Sequence, residues 1–195
     1  MNGETKTRNL SLVFFLCYLS QGVSQHYGLI SQPLNAFLKD FAHLDSGQVS
    51  LCLALLLLPW VVKPLYGYFM DAYGLHMRFL IGGNLLAAFA YLAVYLTFGF
   101  SSSLELIIIL LTLATSGMAI ATAAAIGIAA TTASSRNYFS LQGLAYYLAN
   151  VPILLLSGQL ADNQNLPYMG LAQASIFAAL PPLLVALYLC FFDKV

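Results

Sequence analysis

Charged residues are scarce in this chain of 195 residues. Lysine and arginine total seven, aspartate and glutamate total seven, and charged residues make up 7% of the sequence. A soluble domain carries about 25% charged residues, so this chain has too little polar surface to cover a folded core in water. With 61% apolar residues and a mean hydropathy of +0.84, the sequence indicates an integral membrane protein within a lipid bilayer.

An excess of either charge is also missing, because seven basic residues balance seven acidic ones. This balance gives no indication of a nucleic-acid partner. Cysteine is rare, and Cys17, Cys52 and Cys190 all lie in apolar runs without metal-ligand spacing. That placement is typical of small buried hydrophobic residues. The sequence therefore predicts no disulfide framework, no metal site and no cofactor.

Catalytic motifs are missing as well. The chain has no Walker loop to bind ATP and no HExxH motif, and His26, His43 and His76 are far apart. The segment ATSG at residues 114–117 is similar to the serine site of an intramembrane protease, but the later apolar runs contain no histidine to act as its base. We therefore expect no enzymatic activity.

What the chain does contain is six long apolar runs separated by short polar connections. A membrane-spanning helix needs about 20 residues, and a membrane barrel would instead show alternating segments of about ten residues. The pattern predicts one all-α domain of six transmembrane helices. The predicted helices are Leu10–Leu38, Val49–Met70, Phe79–Phe100, Leu104–Ala130, Leu141–Leu160 and Tyr168–Phe192.

The few basic residues indicate an orientation, because cytoplasmic loops are enriched in lysine and arginine. With the amino terminus inside, both termini are cytoplasmic, only Lys39 is outside, and Lys63 lies within the second run. A signal peptide over residues 10–19 is the alternative, but its removal would leave an odd number of runs and invert the charge bias. The basic residues on the cytoplasmic side are then Lys6, Arg8, Arg78, Arg136 and Lys194.

Polar residues in the first run recur at helical spacing. They advance by three or four residues and so share one face of a continuous helix. Such a face avoids lipid, so it either lines a watery cavity or forms a hydrogen-bonded seam with other helices, and we favour the cavity. The residues of this face are Gln21, Gln25, Gln32, Asn35 and Lys39, with Gly28 between them.

Three later features extend this interpretation. Residues 114–130 are mostly alanine, glycine, serine and threonine, which predicts a helix pressed closely against others. The fifth run has a second polar face that includes Tyr147 and Asn150. Lys63 either extends its charge towards the membrane surface or faces inward towards an anion. The substrate-cavity candidates are Gln21, Gln25, Gln32, Asn35, Lys63, Tyr147 and Asn150.

Residues 59–78, which we call the elbow, link the second and third runs. They contain GYFMDAYGLHMR, with Gly67, Asp71, Gly74 and Arg78 at its key positions. This pattern resembles the signature loop of the major facilitator superfamily of transporters. The resemblance implies a conformational latch, in which the glycine permits close helix contact and the acid pairs with a base and with the opposite half. The family's basic positions after the acid and after the second glycine are occupied here by Ala72 and by Leu75 and His76.

A more specific resemblance is to the folate-biopterin transporter branch of that superfamily. It covers residues 21–71 in detail, through the segments QG, LISQPLNAFLKDF, QVS and PWVVKPLYG. The fourth helix of that branch carries carboxylates, whereas this chain has ATAAA at residues 121–125, so folate transport and proton coupling through that helix are not supported. The resemblance implies one half of a twelve-helix protein, built as a 3+3 inverted repeat.

These observations lead to an expectation of secondary active transport of a small organic solute by alternating access, with or without a coupling ion. A second six-helix half would be needed, either a second copy in a homodimer or a separate chain. The alternatives are a truncated fragment without activity, a membrane assembly protein without transport activity, and a channel.

Overall fold

The computed structural model describes residues 3–25, 27–100, 103–131, 135–162 and 167–191. Regular structure within these ranges is entirely helical. A short π-helical turn, Phe37–Phe41, follows the second helix. The α-helices are α1 (Gly3–Ser24), α2 (Ser31–Ala36), α3 (Ser46–Val61), α4 (Lys63–Tyr73), α5 (His76–Phe100), α6 (Leu104–Ala130), α7 (Ser135–Ala161) and α8 (Pro167–Phe191).

Five helical segments are long and apolar enough to cross a membrane. They agree closely with the last five helices predicted from the sequence, and α6 has the predicted bounds. The second of the predicted helices is bent, because α3 ends at Val61 and α4 begins at Lys63, between Pro59 and Pro64. The five segments are Ser46–Tyr73, His76–Phe100, Leu104–Ala130, Ser140–Ala161 and Tyr168–Phe191.

The first predicted helix is different, and the expectation of one continuous helix over residues 10–38 is wrong. Helix α1 ends at Ser24 and α2 begins at Ser31. We call residues 25–30 the break. In the break the Leu29 N–H donates to the Val23 carbonyl oxygen at 3.0 Å, a pairing that an α-helix does not contain. A Cβ added at Gly28 would lie 2.3 Å from the Val23 oxygen, so the turn requires glycine here.

Small residues allow close backbone contact between α5 and α6. A Cβ added at Gly83 would lie 2.7 Å from the Gly117 oxygen and 2.8 Å from the Ala121 nitrogen. A Cβ added at Gly117 would lie 2.6 Å from the Ala87 nitrogen. The prediction that residues 114–130 form a closely packed helix is confirmed, and α6 is the most deeply buried of the five long segments.

The remaining helices surround this pair. Helices α3 and α4 pack on α6, α8 packs on α5, and α1 packs on α7 and α8. The α3–α4 segment and α7 are the least buried of the long segments. The two polar faces predicted from the sequence, in the first run and in the fifth, are thereby brought against each other where α1 and α2 meet α7.

The orientation in the membrane stays a prediction. The side chains of Lys6, Arg8 and Arg136 lie outside the described residues, and so does the whole of Lys194.

We predict that Gly83→Ala separates α5 from α6, because the new methyl group meets backbone atoms that cannot rotate away. Overpacking of this kind costs about 1–3 kcal/mol. The thermal unfolding midpoint in detergent should fall. Gly82→Ala is the matched control, since a Cβ there meets no atom within 4 Å. Equal midpoints for the two variants would contradict the close contact.

Candidate functional site: a polar groove beside a broken helix

The upstream end of the break is hydrogen-bonded to two other helices. Ser24 is fully buried, and its backbone oxygen accepts a hydrogen bond from the Tyr91 hydroxyl of α5. The Ser24 hydroxyl donates to the Ala178 oxygen of α8 at 2.7 Å. That oxygen lacks its usual helical donor, because Pro182 four residues later has no N–H. Both hydrogen bonds converge on the residue where α1 ends.

The downstream end of the break is held by α7. The Gln32 N–H donates to the Ser157 hydroxyl oxygen at 3.1 Å, and the Ser31 and Ser157 hydroxyl oxygens lie 3.5 Å apart. The Ser31 hydroxyl also donates to the Gly28 oxygen at 3.0 Å. Ser157 is fully buried. The first turn of α2 is therefore attached to α7 through polar groups and not only through apolar packing.

A polar groove with a volume of about 460 Å³ opens between α1 and α7, next to the break. On the α1 side of this groove, the Gln21 Nε2 amide donates to Gln25 Oε1, one turn later, at 3.0 Å. The Tyr18 hydroxyl and Gln21 Oε1 are buried and have no partner among the described residues. The lining residues are Tyr18, Gln21, Gln25, Gln142, Gly143, Tyr146 and Tyr147.

These unpartnered groups give the groove its binding capacity. A buried polar group without a partner costs about 1–3 kcal/mol, and such groups in native proteins are normally satisfied by water or a ligand. The Tyr18 hydroxyl can donate and accept, whereas Gln21 Oε1 can only accept. The groove can thus hold a polar molecule through hydrogen bonds and contacts with phenol rings.

Three of the predicted candidates, Gln21, Gln25 and Tyr147, lie together in this groove. Asn150 lies one turn further along α7, and its Nδ2 amide donates to the Tyr146 hydroxyl oxygen at 3.3 Å. Asn150 therefore supports a residue of the groove. Sequence reasoning missed Tyr18, although it precedes Gln21 by three residues and so continues the same helical face.

Two other candidates in the first run lie outside the groove. The side chain of Gln32 is exposed, and the Asn35 Nδ2 amide donates to the Ser31 oxygen of its own helix at 3.0 Å. The break interrupts the helical repeat that placed them on one face with Gln21. Lys39 is exposed in the π-helical turn. A role for Gln32 and Asn35 in a solute cavity stays a prediction.

Lys63 lies at the bend between α3 and α4. Its Nζ is 5.1 Å from the centroid of the Trp60 ring, a cation–π distance. No carboxylate of the described chain forms an ion pair with it. The aromatic contact partly compensates for the loss of water around the ammonium group, and it leaves both predicted roles of Lys63 open.

The elbow contains an acid–base pair, but the base is His76. His76 Nε2 lies 2.9 Å from Asp71 Oδ1, whereas Arg78 is exposed and forms no ion pair in the described part of the chain. Gly74 has φ +64° and ends α4 in the left-handed conformation that glycine allows. A Cβ added at Gly67 would meet nothing within 4 Å, so its helix face is open.

The His76 ring also connects the elbow with α6. A Cβ added at Gly127 would lie 2.3 Å from His76 Cδ2 and 2.4 Å from His76 Nε2. Glycine at 127 therefore makes room for the ring near the carboxyl end of α6. The ring therefore lies between Asp71 of the elbow and the last turns of α6.

A larger groove of about 670 Å³ lies between α1, α7 and α8 and extends to Leu29 of the break. Its lining is almost entirely aliphatic and aromatic, and it includes Val23, Leu29, Phe177 and Pro181. Such a surface is suited to contact with lipid chains. We therefore regard the polar groove as the candidate site for a solute.

Comparison with known protein families identifies the type of protein. The model of the BT1 family matches residues 21–193, which is most of the chain. The chain belongs to the BT1 family. This is a family of transporters, so the BT1-family chain with its five long apolar helices is a multi-pass membrane protein. A search of curated proteins and a search of solved structures found no match for the chain.

In this BT1-family protein we predict that the polar groove is hydrated. A cysteine at position 147, in the groove, should react quickly with a water-soluble methanethiosulfonate reagent, because the thiolate forms in water. A cysteine at position 148, exposed but outside the lining, should react slowly. Each variant, Tyr147→Cys and Leu148→Cys, is prepared without Cys17, Cys52 and Cys190. Similar rates at both positions would argue against a water-filled groove.

Proposed function

We propose that this chain moves a small organic solute across a membrane by alternating access, as one six-helix half of a major-facilitator-type transporter. The observation that carries the proposal is the polar groove between the broken first segment and α7. It combines buried amide and phenol groups with helices of membrane-spanning length in a member of a transporter family. The chain acts as a carrier and not as an enzyme.

The pattern of helix contacts supports a 3+3 inverted repeat. Counting α1 with α2 as the first span and α3 with α4 as the second, the repeat exchanges spans one and four, two and five, and three and six. The first span packs on the fifth, and the fourth packs on the second. The first packs on the sixth, and the fourth packs on the third. These two pairs of contacts are related as an inverted repeat requires.

The chemistry of the groove limits what it can hold. Among the described residues, its lining contains amide and phenol groups and no charged side chain. The solute is therefore bound by hydrogen bonds and ring contacts, and any charge it carries must be balanced elsewhere, with Lys63 as the candidate for an anion. The described lining offers a coupling ion amide and phenol oxygens and no charged group.

A second half is expected to cover the least buried helices. The α3–α4 segment and α7 expose large apolar side chains that lipid or another six-helix unit must contact. The second unit is a second copy of this chain or a separate chain. The exposed side chains include Leu51, Leu58, Leu65, Leu148, Val151 and Leu155.

The elbow is then the latch between conformations. The Asp71 side chain is 73% exposed even though it is paired with His76, so it is accessible to the opposite half. The open face at Gly67 leaves room for a helix of that half to approach closely. Because a latch changes the balance between states without touching the solute, Asp71→Asn should alter turnover more than apparent affinity.

Counterflow into proteoliposomes tests carrier activity. Vesicles are loaded with one of a panel of unlabelled solutes that includes biopterin, and accumulation of the same labelled solute is followed. Saturable counterflow is expected, since a carrier exchanges solute through a limited number of sites. Non-saturating conductance would favour a channel. No activity for any solute, in purified homodimer or with a co-purified second chain, would favour the fragment or assembly protein.

Gln25→Ala tests the solute site. Loss of one hydrogen bond of about 1 kcal/mol should raise the apparent KM for the transported solute about fivefold. Gln173→Ala, an exposed glutamine of α8 outside the groove, is the control and should leave the KM unchanged. An unchanged KM in Gln25→Ala would place the solute somewhere else.

A further inference from the structure

The carbonyl group of Ser24 has two alternative hydrogen-bond donors in this chain. In a continuous α-helix it would accept from the N–H of Gly28, four residues later. Here the Gly28 N–H donates instead to the Gln25 oxygen at 2.7 Å. The Tyr91 hydroxyl takes the position that the Gly28 N–H would occupy. A side chain of α5 thus replaces a backbone group of the first segment.

The replacement matters because neither group can use water. Ser24 is 0% exposed and Tyr91 is 1% exposed. An unpaired carbonyl in such surroundings is strongly unfavourable. If the Tyr91 hydroxyl is removed, the nearest way to satisfy Ser24 is to extend α1 through the break and restore the bond from Gly28.

Gly28 favours the broken form for a second, independent reason. Its Cα packs so closely on the preceding turn that a Cβ would lie 2.3 Å from the Val23 oxygen and 2.8 Å from the Gly22 oxygen. A continuous helix, in contrast, favours alanine over glycine by about 1 kcal/mol in water, a preference set by backbone entropy. Glycine at position 28 therefore favours the broken form, and alanine at this position would favour the continuous form.

The break also determines the geometry of the polar groove. Gln25 is the first residue after α1, and its Oε1 accepts from Gln21, one turn earlier. Both glutamines line the groove. Beyond the break, the direction of α2 is set by Ser157 of α7. A change from the broken to the continuous form would move α2 relative to this pair of amides.

We propose that Tyr91 is a positioning residue, which holds the first segment in its broken form and so keeps Gln21 and Gln25 in place along the groove. Its importance for transport rests on the proposed function, whereas its effect on the backbone does not. The broken and continuous forms are two discrete states of one segment, and a difference in solute affinity between them would couple binding to a change of shape. The Ser24–Ala178 hydrogen bond holds the end of α1 against α8.

The test measures the backbone directly and uses no solute. The full chain, labelled with ¹³C and ¹⁵N in lipid nanodiscs, is compared with Tyr91→Phe, Gly28→Ala and Tyr95→Phe by the ¹³Cα shifts of Gln25 and Leu29. Tyr95 is the control because it lies one turn along α5 and is exposed. The original chain and Tyr95→Phe should show non-helical shifts. Tyr91→Phe and Gly28→Ala should move both residues downfield towards helical values.

Non-helical shifts that persist in Tyr91→Phe would overturn the proposal. Gly28→Ala keeps the tyrosine hydroxyl and acts only through the backbone, so it tests the balance of the two forms even where Tyr91→Phe does not fold. Unchanged ¹³Cα shifts in Gly28→Ala would contradict the proposed equilibrium between the broken and continuous forms. If Tyr91→Phe lowers the unfolding temperature while its shifts stay non-helical, Tyr91 has a packing role alone. That result also contradicts the proposal. The chemical-shift measurement uses no transport assay, so its outcome does not depend on whether the proposed transport function is correct.

Discussion

Inside a bilayer every peptide group must find its hydrogen-bond partner within the protein, and the break in the first segment is where this constraint acts most strongly on the chain. Interrupting a helix frees carbonyl and amide groups that water would otherwise satisfy. Here the partners come from two other helices, because the Tyr91 hydroxyl of α5 donates to the Ser24 oxygen and Ser157 of α7 accepts from the Gln32 N–H. In return, the Ser24 hydroxyl donates to the Ala178 oxygen of α8, which Pro182 leaves without its helical donor. The break and the packing of the bundle are therefore mutually dependent.

The same constraint brings the polar residues of two helices together. Gly22 allows α1 to approach α7 closely. A Cβ added at Gly22 would lie 2.6 Å from the backbone carbonyl oxygen of Tyr146. The amides of Gln21 and Gln25 then face the phenol rings of α7 across a narrow space. Before the break, the contact between α1 and α7 contains the groove, and after the break α2 is hydrogen-bonded to Ser157 of α7. A polar groove and a hydrogen-bonded seam thus lie in different turns of the same segment, and the watery cavity expected from the sequence stays a prediction.

Much of this fold follows from the sequence alone. Six helices were predicted from long apolar runs, and the last five agree with the five long apolar segments because hydropathy is set by local composition. The small residues near Gly117 predicted a helix packed closely against others, and its partner is α5. The break was missed because the polar spacing from Gln21 to Lys39 fits a continuous helix, and only tertiary partners make its interruption stable. The long first run, which exceeds what a span needs, together with Gly28 was the available signal.

The candidate site was predictable only in part, for a related physical reason. Gln21, Gln25 and Tyr147 were identifiable because polar side chains in apolar runs avoid lipid. Tyr18 and Tyr91 were not, because a tyrosine in an apolar run is indistinguishable from a core aromatic until its hydroxyl partner is known. The pairing of Asp71 with His76 depends on the tight turn at Gly74, which brings His76 Nε2 to 2.9 Å from Asp71 Oδ1.

The most direct test of this account is a disulfide between the broken segment and α7. In a chain without its native cysteines, Ser31→Cys with Ser157→Cys should form a cross-link in membranes under mild oxidation, because the serine oxygens lie 3.5 Å apart. Ser31→Cys with Gly158→Cys, the exposed neighbour, should not. Efficient cross-linking of the first pair alone is the predicted result. Absence of the 31–157 cross-link, or equal yields for both pairs, would contradict the packing of α2 on α7 on which the groove depends.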